Sequence, residues 1–191
     1  MKSFLRLLPL IIFPYAYIIC IVLMSAVPNF IESGIGEYFP IIVIVYMALT
    51  LVSTIFGSIY AAKSKISPCK AATLNLVVKA VQIPAYLFHF LLGLAGTVMS
   101  VWGIGIVAFA VLIDLFTIAL TGIHAIGCSV KCCKGGAIGK GVAVLASIGS
   151  FIYCIDIIAA IVLRVVSSKY KEEYIKSQNG GRDAVQTDQS I

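Results

Sequence analysis

The sequence is short of charge. Asp, Glu, Lys and Arg make up 12% of its 191 residues, while hydrophobic residues make up 61%. A soluble globular domain carries about 25% charged residues. This chain therefore lacks the polar surface of a soluble enzyme, a disordered protein or a secreted disulfide scaffold. Six cysteines are present, but no Cys-x-x-Cys pair, which argues against a four-thiolate zinc site. The run Gly135 to Gly141 is mis-spaced for a phosphate loop and follows no strand. No nucleophile–base pair falls in a water-accessible cleft. No 20–50-residue repeat or inverted duplication is found. Catalysis, metal, cofactor and nucleic-acid binding are accordingly not expected.

What is present is a set of long uncharged runs. Leu7 to Ile31 and Tyr38 to Ala62 hold no charge at all. Between Lys79 and Lys131 the one formal charge is Asp114, and between Lys140 and Arg164 it is Asp156. A membrane-crossing helix needs about 20 apolar residues at 1.5 Å each. The expected fold class is therefore all-α, a polytopic transmembrane helical bundle of about five spans. They fall near 8–29, 39–62, 76–99, 103–126 and 141–163, within a bundle over 1–168. Residues 169–191 are polar, with Gly180-Gly181 and little to bury, and composition predicts disorder there. The first run is too long, and its cleavage triplet too bulky, for a signal peptide.

Lys and Arg gather on the cytoplasmic side of membrane proteins. Lys2 and Arg6 put the amino terminus inside, and the loop with Glu32 and Glu37 lies outside. Lys63, Lys65 and Lys70, then Lys131, Lys134 and Lys140, mark two inner loops. The tail breaks this order. Five crossings leave residues 164–191 outside, yet they carry Arg164, Lys169, Lys171, Lys176 and Arg182. The alternative, four spans with residues 71–100 as a re-entrant hairpin, moves the tail inside but strands Lys131, Lys134 and Lys140 outside. The expected location is the cell membrane, multi-pass, with a cytoplasmic amino terminus.

Two polar seams carry the most information. Asn75, Lys79, Gln82, Tyr86, His89, Gly93, Gly96 and Ser100 recur every three or four residues, and so share one helix face. Gly103, Val107, Ala110, Asp114, Thr117, Thr121, His124 and Cys128 do the same on the next helix. Lipid offers no partner to a polar group, so both seams should face protein. A hairpin about residue 101 or 102 sets partners at numbers summing to about 203. His89 is then level with Asp114, Tyr86 with Thr117, Gln82 with Thr121, and Lys79 with His124. Gly93, Gly96, Gly103 and Ala110 permit close backbone approach at the outer end.

Asp114 should lie near the bilayer midplane, where an unpaired charge costs about 2.5–3.5 kcal/mol on insertion scales. Its pairing with His89 reads either as a proton- or cation-handling site or as a clasp between helices. In the fifth run, Ala146, Gly149, Tyr153, Asp156 and Ala160 share a face. Asp156 is expected about one turn nearer the outer surface than Asp114, and there it either faces the outer interface or joins the polar core. The inner lysines 63, 65, 70, 131, 134 and 140 form a basic rim suited to anionic lipid headgroups.

The motif Asn75-x3-Lys79-x2-Gln82-Ile-Pro-Ala-Tyr86 resembles a group of uncharacterised small multi-spanning membrane proteins of Gram-positive bacteria. The likeness covers helices two to four. It implies a membrane location and carries no activity. The expected function is a membrane-embedded interaction or accessory protein, its partners being the lipid bilayer, anionic lipids, a second copy or another membrane protein. The alternative is a small proton- or cation-coupled transporter or channel subunit using a buried His–Asp site.

Overall fold

The computed structural model describes residues 6–26, 35–99 and 101–188, with side chains outside the description at 17, 20–26, 35–37, 39–40, 102 and 173–188. The described chain is helical: α1 Leu8–Ala26, α2 Ile35–Lys63, α3 Pro68–Val98, α4 Val101–Lys134, α5 Lys140–Gly149 and α6 Ile155–Asp188. No strand occurs among the described residues. Among the described residues three helical stretches are long and apolar enough to cross a membrane: Ile41–Lys63, Pro68–Val98 and Gly103–Lys134.

Local chemistry sets the helix ends, which run past the apolar runs that foretell them. α3 starts at Pro68, eight residues before the expected boundary. Ser67 caps it, its hydroxyl accepting from the Lys70 amide at 3.3 Å, and Pro68 suits the first helical position. α4 ends in a glycine cap. Gly136 takes φ +75, its amide donates to the Cys133 carbonyl, and the Ala137 amide reaches back to Cys132. Pro14 gives α1 a different need. Proline has no N–H, so the Leu10 carbonyl loses its helical donor. Gln82 Nε2 supplies one from α3 at 3.1 Å.

The interior is inverted relative to a water-soluble protein. Lys79, Gln82, His89, His124 and Asp156 are buried, whereas Ile44, Phe56, Leu87, Phe90 and Leu112 stand exposed. Only a solvent that dissolves apolar groups suits that arrangement. Small residues let the helices close. A Cβ on Gly127 of α4 would lie 2.3 Å from the Ser58 carbonyl oxygen of α2, and Ser58 donates to the Ile123 carbonyl at 2.8 Å. At the turn between α3 and α4, a Cβ on Gly103 would lie 1.6 Å from the Gly96 oxygen.

The run 141–163 does not form one helix, which corrects the fifth expected span. α5 ends at Gly149, Cys154 turns the chain with φ 65, and α6 then folds back along α5. Gly149 faces Ile155 and Ala159, Ala143 and Leu163 share a buried cluster, and Gly136 meets the Tyr170 hydroxyl. Each step back along α5 thus meets a step forward along α6, as in an antiparallel hairpin. Ten residues of α5 rise about 15 Å, half of a ~30 Å hydrocarbon core. Hydrophobicity could not foretell this, because both arms are apolar and the turn Ser150–Cys154 holds neither glycine nor proline. Of the residues 71–100 considered for a re-entrant hairpin, 71–98 instead belong to α3, which runs unbroken through Pro84 to Val98, and residue 100 lies outside the described residues. Residues 169–188 continue α6 as helix, where composition predicts disorder. The costly helix nucleus already exists in the hairpin, so only propagation is needed.

Candidate functional site: a buried polar core with two ion pairs

The helix ends define two poles. Lys63, Lys65, Lys70, Lys134 and Lys140 are exposed around one, the basic end. Lys131 belongs to the same loop but turns inward, its Nζ donating to the Ser64 carbonyl at 2.5 Å. That bond takes it off the expected rim. The opposite pole is the Gly96–Gly103 turn.

Between the poles, α3 and α4 present their seams to each other. His89 Nδ1 is hydrogen-bonded to Asp114 Oδ1, with the His89 side chain fully buried and that of Asp114 at 16% exposure. Asp114 lies toward the glycine pole from the middle of α4, because α4 extends to Lys134. Thr117 is buried and donates to the Ile113 carbonyl at 2.7 Å. Gln82 does not meet Thr121; it turns to the carbonyl that Pro14 orphans on α1. Tyr86 packs edge-on against Tyr153 of the hairpin tip, ring centroids 5.6 Å apart.

A second pair lies deeper toward the basic end. Lys79 Nζ is 3.1 Å from Asp156 Oδ2, with both side chains buried. The ammonium also donates to Thr121 Oγ1 at 3.4 Å and the Ser150 carbonyl at 3.3 Å. Asp156 Oδ1 accepts from the Ile157 amide at 2.8 Å. All three ammonium protons therefore have acceptors, and both carboxylate oxygens have donors. The broken helix adds to this. Ser150 caps the end of α5, where the helix dipole is negative, beside the ammonium, and Asp156 lies in the first turn of α6, where the dipole is positive. Asp156 thus joins the polar core, the second of the two places expected for it. The hairpin turns back at mid-bundle and sets it against Lys79, ten positions before His89 and about 15 Å along α3. The missed signal was Lys79 itself, a lysine inside a seam with no acid level with it.

The small residues divide. Gly96 and Gly103 touch, Ala110 and Ala146 are buried, and Gly149 meets Ile155 and Ala159. Gly93 would meet nothing within 4 Å. Helices that cross at an angle approach closely near one point and diverge from it. The point here is Gly96–Gly103, so Gly93 takes no part in the close contact.

Toward the basic end the core continues to His124, which is buried with its Nε2 3.5 Å from Cys128 Sγ. Cys69, Cys128, Cys132, Cys133 and Cys154 are free thiols, and no three His, Cys, Asp or Glu among the described residues are grouped to hold a metal. Titratable side chains thus run from Asp114 and His89, past Tyr86 and Tyr153, to Asp156 and Lys79 and on to His124. Such a line can hold protons. Comparison of the chain with protein-family models, curated proteins and solved structures finds no match, so its chemistry is read from this geometry.

Proposed function

We propose that the chain is a multi-pass cell-membrane protein that handles protons along its buried polar core. The observation that carries this reading is the second ion pair. One His–Asp contact is explained equally well as a clasp. Two separate acid–base pairs on one buried face, with a second histidine beyond them, are more than a clasp needs. Buried ion pairs are poor stabilisers relative to packed apolar residues, and ionisable groups at membrane depth mark proton relays and ion paths. No catalytic role enters this reading.

The topology that fits is four crossings by α1 to α4, with α5 and the first half of α6 as a re-entrant hairpin opening to the basic end. With that end cytoplasmic, Arg164, Lys169, Lys171, Lys176 and Arg182 join the other inner lysines, and the basic tail no longer breaks the charge rule. The exposed lysines 63, 65, 70, 134 and 140 then face anionic headgroups.

The test is proton flux into liposomes containing the purified protein under an imposed potential. Flux above that of empty vesicles, lost in Asp114→Asn and Asp156→Asn, is expected. No flux above empty vesicles overturns the reading.

The second reading is an interaction or accessory role. It is favoured by the hairpin stopping halfway, which leaves Leu87, Phe90, Leu94, Ile104 and Leu112 exposed on the upper halves of α3 and α4. A second copy or a partner's helix covering that surface would serve it, and crosslinking in the native membrane tests it.

A further inference from the structure

Three separate elements converge on the Lys79 ammonium. α4 supplies Thr121 Oγ1 at 3.4 Å, the end of α5 supplies the Ser150 carbonyl at 3.3 Å, and the start of α6 supplies Asp156 Oδ2 at 3.1 Å. The Ser150 carbonyl is open to a cation because the turn's amides serve earlier carbonyls. Ser150 donates to Ala146, Phe151 to Ile148 and Ile152 to Gly149. A helix end leaves its last carbonyls without amide donors, and here an ammonium takes one of them. Gly122 lets the turn come close to α4, since a Cβ there would lie 2.7 Å from the Phe151 ring. Lys79, Thr121, Ser150 and Asp156 are each 1% exposed. Among the described residues every acceptor of the head group is an oxygen, and one of them carries a full negative charge.

We propose that this cage is a binding site for a monovalent cation of ammonium size, which the Lys79 head group fills as a tethered cation where a free potassium ion would otherwise sit. The donor set fits. Broken membrane helices hold coupling cations on the carbonyls of half-helix C-terminal ends, and Ser150 is such an end. The single carboxylate balances one positive charge, and a divalent ion would leave buried charge uncompensated. Ammonium and potassium ions have nearly the same radius, so a cage that suits one suits the other. Lithium is too small to touch all three oxygens together. Carried on the chain, the cation needs no capture from solution and no loss of translational freedom. One consequence rests on the proton-handling reading: the core runs without an alkali co-ion, and the proton is the ion left for it to move.

Lys79→Ala empties the cage and keeps its three oxygens, and the space of the lost stem admits waters to complete an ion's shell. The purified full-length protein is unfolded by heat in detergent, in chlorides of potassium, sodium, lithium or N-methylglucamine at equal ionic strength. The midpoint of Lys79→Ala should rise by about 5 °C in potassium over N-methylglucamine, saturably, and least in lithium. Wild type, with its cage filled, should not respond. Nor should Lys79→Met, whose apolar side chain fills the space, or Lys79→Ala combined with Asp156→Asn, which lacks the charge. In liposomes under a pH gradient, wild-type proton flux should be the same with any of these cations in the bath. A Lys79→Ala protein that is unstable in every salt, or has one midpoint in potassium and N-methylglucamine, overturns the proposal. So does a wild-type flux that needs sodium or potassium. A potassium-stabilised variant beside a wild type without proton flux keeps the cage and overturns the proton-handling reading. Proton flux with no potassium effect on Lys79→Ala overturns the cage alone.

Discussion

Lys79 on α3 and Asp156 at the start of α6, 77 positions apart, form an ion pair of 3.1 Å inside the bundle. The contact fixes the hairpin tip at mid-depth and joins the last helix to the first polar seam. It ties the fold to the chemistry of the core.

This pair yields the first prediction. Lys79→Met leaves the Asp156 carboxylate buried without its cation, and Asp156→Leu strands the ammonium. Each single change should cost about 3–5 kcal/mol, the range for breaking a buried pair. The double variant removes both charges and should recover most of that loss. Thermal unfolding in detergent measures it. A double variant as unstable as the sum of its singles would mean that the two side chains do not act as a pair.

The second prediction concerns topology. Single cysteines at Ser67, Ala137 and Gln186, in a chain freed of its own cysteines, should label from the same face of the membrane, and one at Ser33 from the other. The hairpin returns Leu163 and Tyr170 to the level of Ala137 and Gly136, so the tail leaves at the basic end. Labelling of position 186 from the face that labels 33 would replace the hairpin with a full fifth crossing.

Sequence and structure part at one kind of place. Hydropathy located the three long apolar helices α2 to α4, because apolar runs and helices of spanning length obey the same length rule. Seam spacing set His89 opposite Asp114, since both helices are regular and their turn is short. Neither signal reports where an apolar stretch folds on itself. The turn Ser150–Cys154 is written in Phe, Ile, Tyr and Cys, with a non-glycine residue at positive φ, and tertiary contacts hold it there. What depends on it was hidden too: the partner of Lys79 and the place of Asp156 in the core. The Gln82 bond was readable in principle, since Pro14 orphans the Leu10 carbonyl. Which side chain would answer it depended on how α1 packs.

The third prediction separates the glycines. Gly103→Ala drives a methyl into the Gly96 carbonyl and must part the two backbones, whereas Gly93→Ala enters open space. The first should cost about 1–3 kcal/mol, typical of overpacking. The second should be neutral or slightly stabilising, because alanine is the better helix former. Unfolding midpoints of the two variants, measured side by side, test the crossing point directly.

The fourth prediction concerns His89 and Asp114. Asp114→Leu leaves His89 buried without its acid, and His89→Leu leaves the carboxylate unpaired. Each should destabilise the protein, and the apolar double variant should fold nearly as well as wild type, since removing both partners leaves no unsatisfied group. Stability alone does not tell a clasp from a proton site, but the double variant does when flux is measured as well. A clasp predicts that the folded double variant keeps the wild-type proton flux. A proton site predicts that it folds and loses the flux, because the line from Asp114 to His124 is cut at its first pair. Cysteines at 89 and 114 should also join through a short crosslinker. Efficient crosslinking of position 89 to α2 instead, in a folded protein, would show that the seams do not face each other.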